Sequence, residues 1–191
     1  IMAWVQKFSE WLVEEKEENF TTVDGRPIRV FSFNYDSGDN ETMSAWAKHF
    51  RNHYCSDKII DLLRSGTGLS KTDYLLNIKF PDQSIAPGPS VRAGDFSEIL
   101  IADYLEFILN YWVPRTRYSN KINRNSSPMG SDIIGFKLFD SNETNKDVLT
   151  VIEAKASYTT TTENRLQKAI DDSRKDDIRL AESLNAIKQR F

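Results

Sequence analysis

The chain has 191 residues, of which 39% are hydrophobic and 28% are charged. This composition is typical of a globular protein, and no apolar run approaches the ~20 residues that span a bilayer. The formal net charge of -3 excludes a global positive field, so any contact with nucleic acid requires a local basic patch. A single cysteine, Cys55, cannot form an internal disulfide, and this favours a reducing, cytoplasmic location.

The first 90 residues predict an N-terminal α+β region that is a candidate for partner docking. Residues 2–18 alternate apolar and acidic positions at helical spacing and lack the features of a secretory signal. Residues 26–35 alternate as a strand does, a helix is expected over about 41–64, and a second strand is expected over 74–80. Residues 81–94 contain three of the six prolines, which indicates a linker before a second domain over 91–191.

The second half of the chain has a clearer pattern. A helix is predicted over 94–111 with Asp95 as its cap, followed by a basic segment over 115–124. Two strands are predicted over 131–139 and 148–156, joined by a polar loop. A threonine-rich loop then leads into a charged helix that starts at Glu163 and continues to the last residue.

The segment VIEAKAS, residues 151–157, places two charges in an apolar strand. Because successive side chains of a strand alternate faces, Glu153 and Lys155 share one face. Unpaired charges are costly in a buried strand, so these two need compensation. One explanation is that they neutralise each other on an exposed face; the other is a functional site.

Two further acidic residues favour a site. Asp132 follows a glycine-containing turn and heads the apolar run of the preceding strand, where a carboxylate can be presented as a metal ligand or can simply cap the turn. On a helical wheel, Glu98 aligns with the packed stripe of its helix, which indicates either a dipole contact or a polar site. Asp95, Asp103, Glu106 and Asn110 fall together on the expected solvated face.

This order of a helical Glu, a strand-start Asp and a Glu-x-Lys strand resembles the PD-(D/E)XK nuclease superfamily over about residues 94–175. The resemblance implies a mixed α/β (α+β) protein with a restriction-endonuclease-like core, in which helices flank a mixed central sheet. It implies that Asp132 and Glu153 hold Mg²⁺, which Mn²⁺ could replace, and that Glu98 tunes the metal or adds a ligand. Lys155 would orient the attacking water, and no small-molecule cofactor is implied.

Within that superfamily, the layout RAGDFSEILIADYLEF, basic stretch, GSDIIGFKL and LTVIEAK is most similar to the HamA-like nuclease subunit of Hachiman antiphage systems. The resemblance implies a Mg²⁺-dependent deoxyribonuclease that acts in antiviral defence with a separate helicase subunit. Restriction or DNA-repair nucleases share the same core and remain an alternative. A catalytically inactive nucleic-acid-binding module, with the four residues as an ion-pair network, is a second.

The only concentrated basic run lies just upstream of Asp132. It contains Arg115, Arg117, Lys121 and Arg124. These cations are candidates for phosphate contacts beside the site, which would allow DNA binding by an acidic protein. The alternative is a solvated edge segment in which the charges prevent aggregation.

Overall fold

The computed structural model describes residues 7–16, 19–139, 144–159 and 162–190, without the side chains of 176–178. The chain divides into two compact units, residues 1–50 and 51–191. The domain boundary that the sequence suggests after residue 90 stays a prediction. No helix in the described ranges has the length and apolar character needed to cross a membrane.

The first unit contains two small antiparallel sheets. A 3₁₀ helix, Phe8–Trp11, precedes β1 (Leu12–Glu14), which pairs with β4 (Phe31–Phe33), and β2 (Phe20–Thr21) pairs with β3 (Pro27–Ile28). The ring centroid of Trp46 lies 5.2–5.8 Å from those of four other aromatic rings. These are the rings of Phe8, Trp11, Phe33 and Phe50. Aromatic packing therefore forms the core of this unit.

Helices account for most of the regular structure. They are α1 (Asn40–Tyr54), α2 (Ile60–Leu63), α3 (Lys71–Tyr74), α4 (Gly88–Asp103), α5 (Arg165–Ser173) and α6 (Asp176–Lys188), with π-helical turns at Leu75–Lys79 and Tyr104–Ile108 and a 3₁₀ turn at Tyr118–Asn120. One buried cluster of the second unit contains Cys55, Ile60, Tyr74 and Leu75. The other contains Ala102, Leu105, Val113 and Ile133, and it packs α4 against the strand that carries the candidate site.

That strand, β5 (Ile133–Lys137), forms an antiparallel hairpin with β6 (Val148–Ile152). The register pairs Ile133 with Ile152 and Lys137 with Val148. Trp112 adds an isolated antiparallel bridge to Phe136. The α+β class is thus confirmed by helices and small antiparallel sheets, while the mixed central sheet of a restriction-endonuclease-like core stays a prediction.

Several predicted elements were wrong. No strand forms over 74–80: Tyr74 ends α3 and Leu75–Lys79 form a π-helical turn, because short apolar runs fit a buried helix equally well and Ser70 caps α3. The segment over 2–18, for which the spacing predicts a helix or a docking segment, is a 3₁₀ turn and a strand over its described part instead of a helix; residues 2–6 and 17–18 lie outside the described residues.

The helix boundaries also differ from the prediction. The helix expected over 41–64 ends at Tyr54 and a short helix follows, and the helix expected after Glu163 is divided between Ser173 and Asp176. Residues 140–143 and 160–161, in the two predicted loops, and residue 191 lie outside the described residues. The predicted linker ends early because α4 begins at Gly88 with a proline in its first turn, a position that tolerates proline.

Candidate active site

The open end of the β5–β6 hairpin brings Asp132 and Glu153 together. The last paired residues are Ile133 and Ile152, and Asp132 and Glu153 immediately flank this pair. Instead of continuing the ladder, the backbone N–H of Ala154 donates a hydrogen bond of 2.9 Å to Oδ2 of Asp132. The carboxylate thus takes the place of a backbone acceptor and ties the Glu-x-Lys segment to the start of β5.

Glu153 and Lys155 lie on the same side, as the alternation predicts. Nζ of Lys155 donates to Oε1 of Glu153 and also lies 3.2 Å from Oδ2 of Asp172. Nη1 of Arg179 donates to the other oxygen of Glu153 at 2.9 Å. The pair is not on an exposed face, because only 3% of the Glu153 side chain is accessible.

Glu98 is buried in α4 and faces the same region. Its residue exposure is 7%, which confirms that it belongs to the packed side of the helix. Its Oε2 accepts a hydrogen bond of 2.7 Å from the Tyr118 hydroxyl and lies 3.2 Å from Nε of Arg117. Burial raises the pKa of Glu98 to about 7, although the Arg117 guanidinium lowers it.

Burial also changes the pKa values of Asp132 and Lys155. Burial raises the pKa of Asp132, although the hydrogen bond from the Ala154 N–H and the charge of the Arg117 guanidinium both lower it. Burial alone would lower the pKa of Lys155, but its hydrogen bonds to Glu153 and Asp172 outweigh this effect and raise it. Lys155 is therefore a firmly protonated ammonium group beside two carboxylates.

The donor set of the hairpin end fits a hard divalent cation. Asp132 and Glu153 supply carboxylate oxygens, and Mg²⁺ requires few protein ligands because it keeps several waters. Glu98, Asp132 and Glu153 do not, however, bring three carboxylate oxygens within 4.8 Å of one another. The three carboxylates therefore do not form one closed cluster, and the assignment of the metal ligands stays a prediction.

All four cations of the predicted DNA-binding run have partners within the protein. Arg115 lies 2.6 Å from Asp103 and from Glu106, and Lys121 pairs with Asp95. Arg124 donates to the Asp82 carboxylate and to the carbonyl oxygen of Leu76, both at 2.7 Å. Arg117 pairs with Glu98 and Asp132. These contacts engage the cations within the protein, and a contact with DNA stays a prediction.

The assignment of Asp95 and Asp103 to the solvated face of the helix was wrong. Each has an exposure of 1%. Asp95 does not cap α4, which begins seven residues earlier at Gly88, and it accepts a hydrogen bond of 2.7 Å from the Tyr54 hydroxyl as well as the Lys121 ammonium. The carboxylates face inward because cations from the following segment compensate their charge.

A cavity of about 180 Å³ adjoins the site. Its lining includes Glu98, Arg117 and Asp132 on one side and Ser183 and Ile187 of α6 on the other. The C-terminal helix thus takes part in shaping the region next to Asp132.

The sequence interpretation missed the residues that complete the charge network. The sequence pattern gives Arg117 only as a candidate phosphate contact and gives no motif for Asp172 or Arg179. The periodicity of α5 and α6 contains no signal for the last two, because their partners lie more than 15 residues away. Gln167 and Lys168 of α5 are exposed and pair locally, with Asp171 and Glu163.

Comparison with known families gives one result. A family model described as HamA matches residues 6–191, which is nearly the whole chain. No curated protein and no solved structure matches the chain.

Proposed function

Because the chain belongs to the HamA family of Hachiman antiphage defence proteins, we propose that it is a metal-dependent DNA nuclease. It acts as the effector of that system and works with a helicase subunit. The observation that supports this proposal best is the open hairpin end, where Asp132 and Glu153 flank the last strand pair and Lys155 is bonded to Glu153.

Asp132 and Glu153 are the proposed ligands of Mg²⁺, which Mn²⁺ can replace. When bound, the ion neutralises charge at the phosphate and lowers the pKa of a bound water. The Ala154 N–H holds Oδ2 of Asp132, so this carboxylate is oriented before any ligand arrives. Such preorganisation matters because misplacement of a reacting group by about 1 Å can cost about 10²-fold in rate.

Lys155 is the proposed group that orients the attacking water. A lysine ammonium has three donor protons, and Glu153 and Asp172 engage two of them. The third is left to hold a water or a phosphate oxygen beside the metal. Asp172 therefore positions Lys155 from α5, without being a ligand itself.

DNA is the proposed substrate and the segment 115–124 the proposed contact with its backbone. With a formal net charge of -3, the protein depends on such a local patch. Arg179, whose side chain is 32% exposed, is one more cation beside Glu153 that can reach a phosphate. The helicase subunit supplies access to the substrate.

The proposal is tested by incubating supercoiled and linear plasmid with the wild-type protein, Mg²⁺ or Mn²⁺, and the helicase encoded with it. Glu153→Gln and Lys155→Met should abolish metal-dependent cutting, and EDTA should abolish it in the wild type. Lys168→Met is the matched control, because Lys168 also pairs with a carboxylate, Glu163, but on the exposed face of α5. This control should cut normally.

Each outcome separates the alternatives. Cutting that survives in both Glu153→Gln and Lys155→Met would place the chemistry elsewhere in the protein. No cutting by the wild type with the helicase present would favour a catalytically inactive module that binds nucleic acid.

A further inference from the structure

A single arginine side chain fastens the turn that leads into Asp132. Nη1 of Arg117 donates to the carbonyl oxygen of Gly130 at 3.2 Å and to that of Ser131. Nη2 donates to the carbonyl oxygen of Pro128 at 3.3 Å. Three backbone acceptors within four residues are thus held by one planar guanidinium group.

The same guanidinium joins Asp132 to Glu98. Its Nη2 lies 3.4 Å from Oδ1 of Asp132, and its Nε lies 3.2 Å from Oε2 of Glu98. The Glu98 oxygen also accepts the Tyr118 hydroxyl at 2.7 Å. The helical carboxylate is therefore already committed to one cation and one hydroxyl.

The turn is held from its other side by α6. The backbone N–H of Ser131 donates to Oγ of Ser183 at 2.9 Å. Gly130 has a φ of 97°, and a Cβ at this position would lie 2.5 Å from the same oxygen. With Arg117 on one side and Ser183 on the other, the backbone before Asp132 has little freedom.

We propose that Arg117 is a positioning residue that fixes Asp132 for metal binding, and that Glu98 acts as the counter-ion of Arg117 instead of as a metal ligand. This inference rests on the proposed function, because it assigns roles at the same metal site. Only an arginine provides this arrangement, since its five donors form a rigid fork whereas a lysine ammonium acts as a point charge.

The burial of these groups explains why the counter-ion is needed. The side chains of Arg117 and Glu98 are 13% and 9% exposed, and an uncompensated charge at such a site is strongly destabilising. Glu98 thus acts on the metal site only through Arg117. Removing a group that orients a ligand in this way typically reduces metal affinity by about 10- to 100-fold.

The first experiment measures metal affinity in Arg117→Lys and Arg117→Met at pH 8. The readouts are the Mg²⁺ concentration for half-maximal plasmid cutting and, without DNA, the rise in melting temperature caused by Mn²⁺. We expect Arg117→Met to raise the half-maximal concentration by about 10- to 100-fold and to weaken the Mn²⁺ effect, with Arg117→Lys in between. Arg64→Met is the matched control, because Arg64 also bonds to a carboxylate and a backbone carbonyl, those of Asp61 and Leu69.

A merely structural role for Arg117 gives a different result. A partly unfolded population lowers the maximal rate and raises the measured metal requirement only by the reciprocal of the folded fraction, about twofold when half of the molecules are folded. An unchanged half-maximal concentration in both variants would therefore overturn the inference.

The second experiment tests the role of Glu98 by adding Glu98→Gln to Arg117→Met. If Glu98 is only the counter-ion, the added change leaves the metal requirement of Arg117→Met unaltered, because the guanidinium group through which Glu98 acts is already absent. If Glu98 is a ligand, the double variant requires still more metal, and the inference is overturned.

The two proposals fail in distinguishable ways. A wild-type protein that shows neither metal-dependent cutting nor stabilisation by Mn²⁺ overturns the proposed function together with the role of Arg117. A wild type that responds to metal, with Arg117→Met responding equally, overturns only the inference.

Discussion

Replacing Lys121 with methionine should destabilise the second unit severely, because it removes the partner of a buried carboxylate. The side chains of Lys121 and Asp95 are 3% and 2% exposed and form an ion pair. The Tyr54 hydroxyl donates to the same Asp95 oxygen at 2.7 Å. Lys121→Met removes the ammonium donor, so that of these two donors Asp95 keeps the Tyr54 hydroxyl.

The expected magnitude follows from the burial of the pair. Breaking a buried ion pair from one side costs about 3–5 kcal/mol, because it leaves an uncompensated charge. For a protein of this size this corresponds to a fall in melting temperature of roughly 10–15 °C. The double variant Asp95→Asn/Lys121→Met should recover much of the loss, since it contains neither charge and the amide oxygen can still accept from Tyr54.

The loss should also depend on pH. Burial raises the pKa of Asp95 in the native protein, and the Lys121 ammonium opposes this effect. Without Lys121 the pKa rises further above that of the unfolded chain. A carboxyl group whose pKa is raised in the native protein stabilises that protein fully at a pH below the pKa it has in the unfolded chain. This stabilisation is lost as the pH rises through the pKa of the group in the native protein. The difference between Lys121→Met and wild type should therefore narrow as the pH falls from 8 to 5.

Chemical denaturation followed by circular dichroism at pH 5 and pH 8 measures both effects. Lys168→Met serves as the exposed control and should unfold like the wild type. A Lys121→Met variant within about 1 kcal/mol of wild type at pH 8, or a double variant no more stable than the single one, would refute the argument from the buried charge.

Three further outcomes follow from the geometry. Gly130→Ala should destabilise the protein by about 1–3 kcal/mol in urea denaturation, because the alanine would have a positive φ and its Cβ would clash with Ser183. Gly94→Ala is the control: a Cβ there enters open space within α4 and should stabilise the protein by about 0.5–1 kcal/mol. Burial raises the pKa of Glu98 to about 7, so the unfolding free energy of the metal-free wild type should fall by roughly 2–3 kcal/mol between pH 5 and pH 8. Glu98→Gln should not show this fall, and parallel pH profiles of wild type and Glu98→Gln would contradict the prediction. Asp172→Ala should leave the melting temperature unchanged but lower the cutting rate about tenfold, because Lys155 loses an orienting partner, and a normal rate would exclude this role.

The hairpin could be predicted because its signals are local. The alternating apolar residues predicted strands over 131–139 and 148–156, and the observed strands lie within both ranges. The second strand ends at Ile152, earlier than predicted, because the Ala154 N–H bonds to the Asp132 side chain. That contact joins residues 22 positions apart, and no local pattern encodes it.

The orientation of the acidic residues of α4 could be predicted only in part. A helical wheel placed Glu98 correctly on the packed side because apolar residues surround it in the sequence. It failed for Asp95 and Asp103, which fall on the same side of the wheel as Glu106 and Asn110 but are buried. Their compensating cations, Lys121 and Arg115, lie on a later segment, and the sequence of the helix alone contains no information about that segment.

The contacts of α6 with the candidate site have a consequence for synthesis of the protein. Arg179 reaches Glu153, and Ser183 holds the turn before Asp132, so the site cannot be complete until the ribosome has released residue 183. At about 5–20 residues per second, the 28 residues from Lys155 to Ser183 take about 1–6 s to translate. During this interval the nascent chain contains all four predicted catalytic residues but not yet Ser183, which holds the turn before Asp132. The candidate site is therefore among the last parts of the second unit that can form during synthesis.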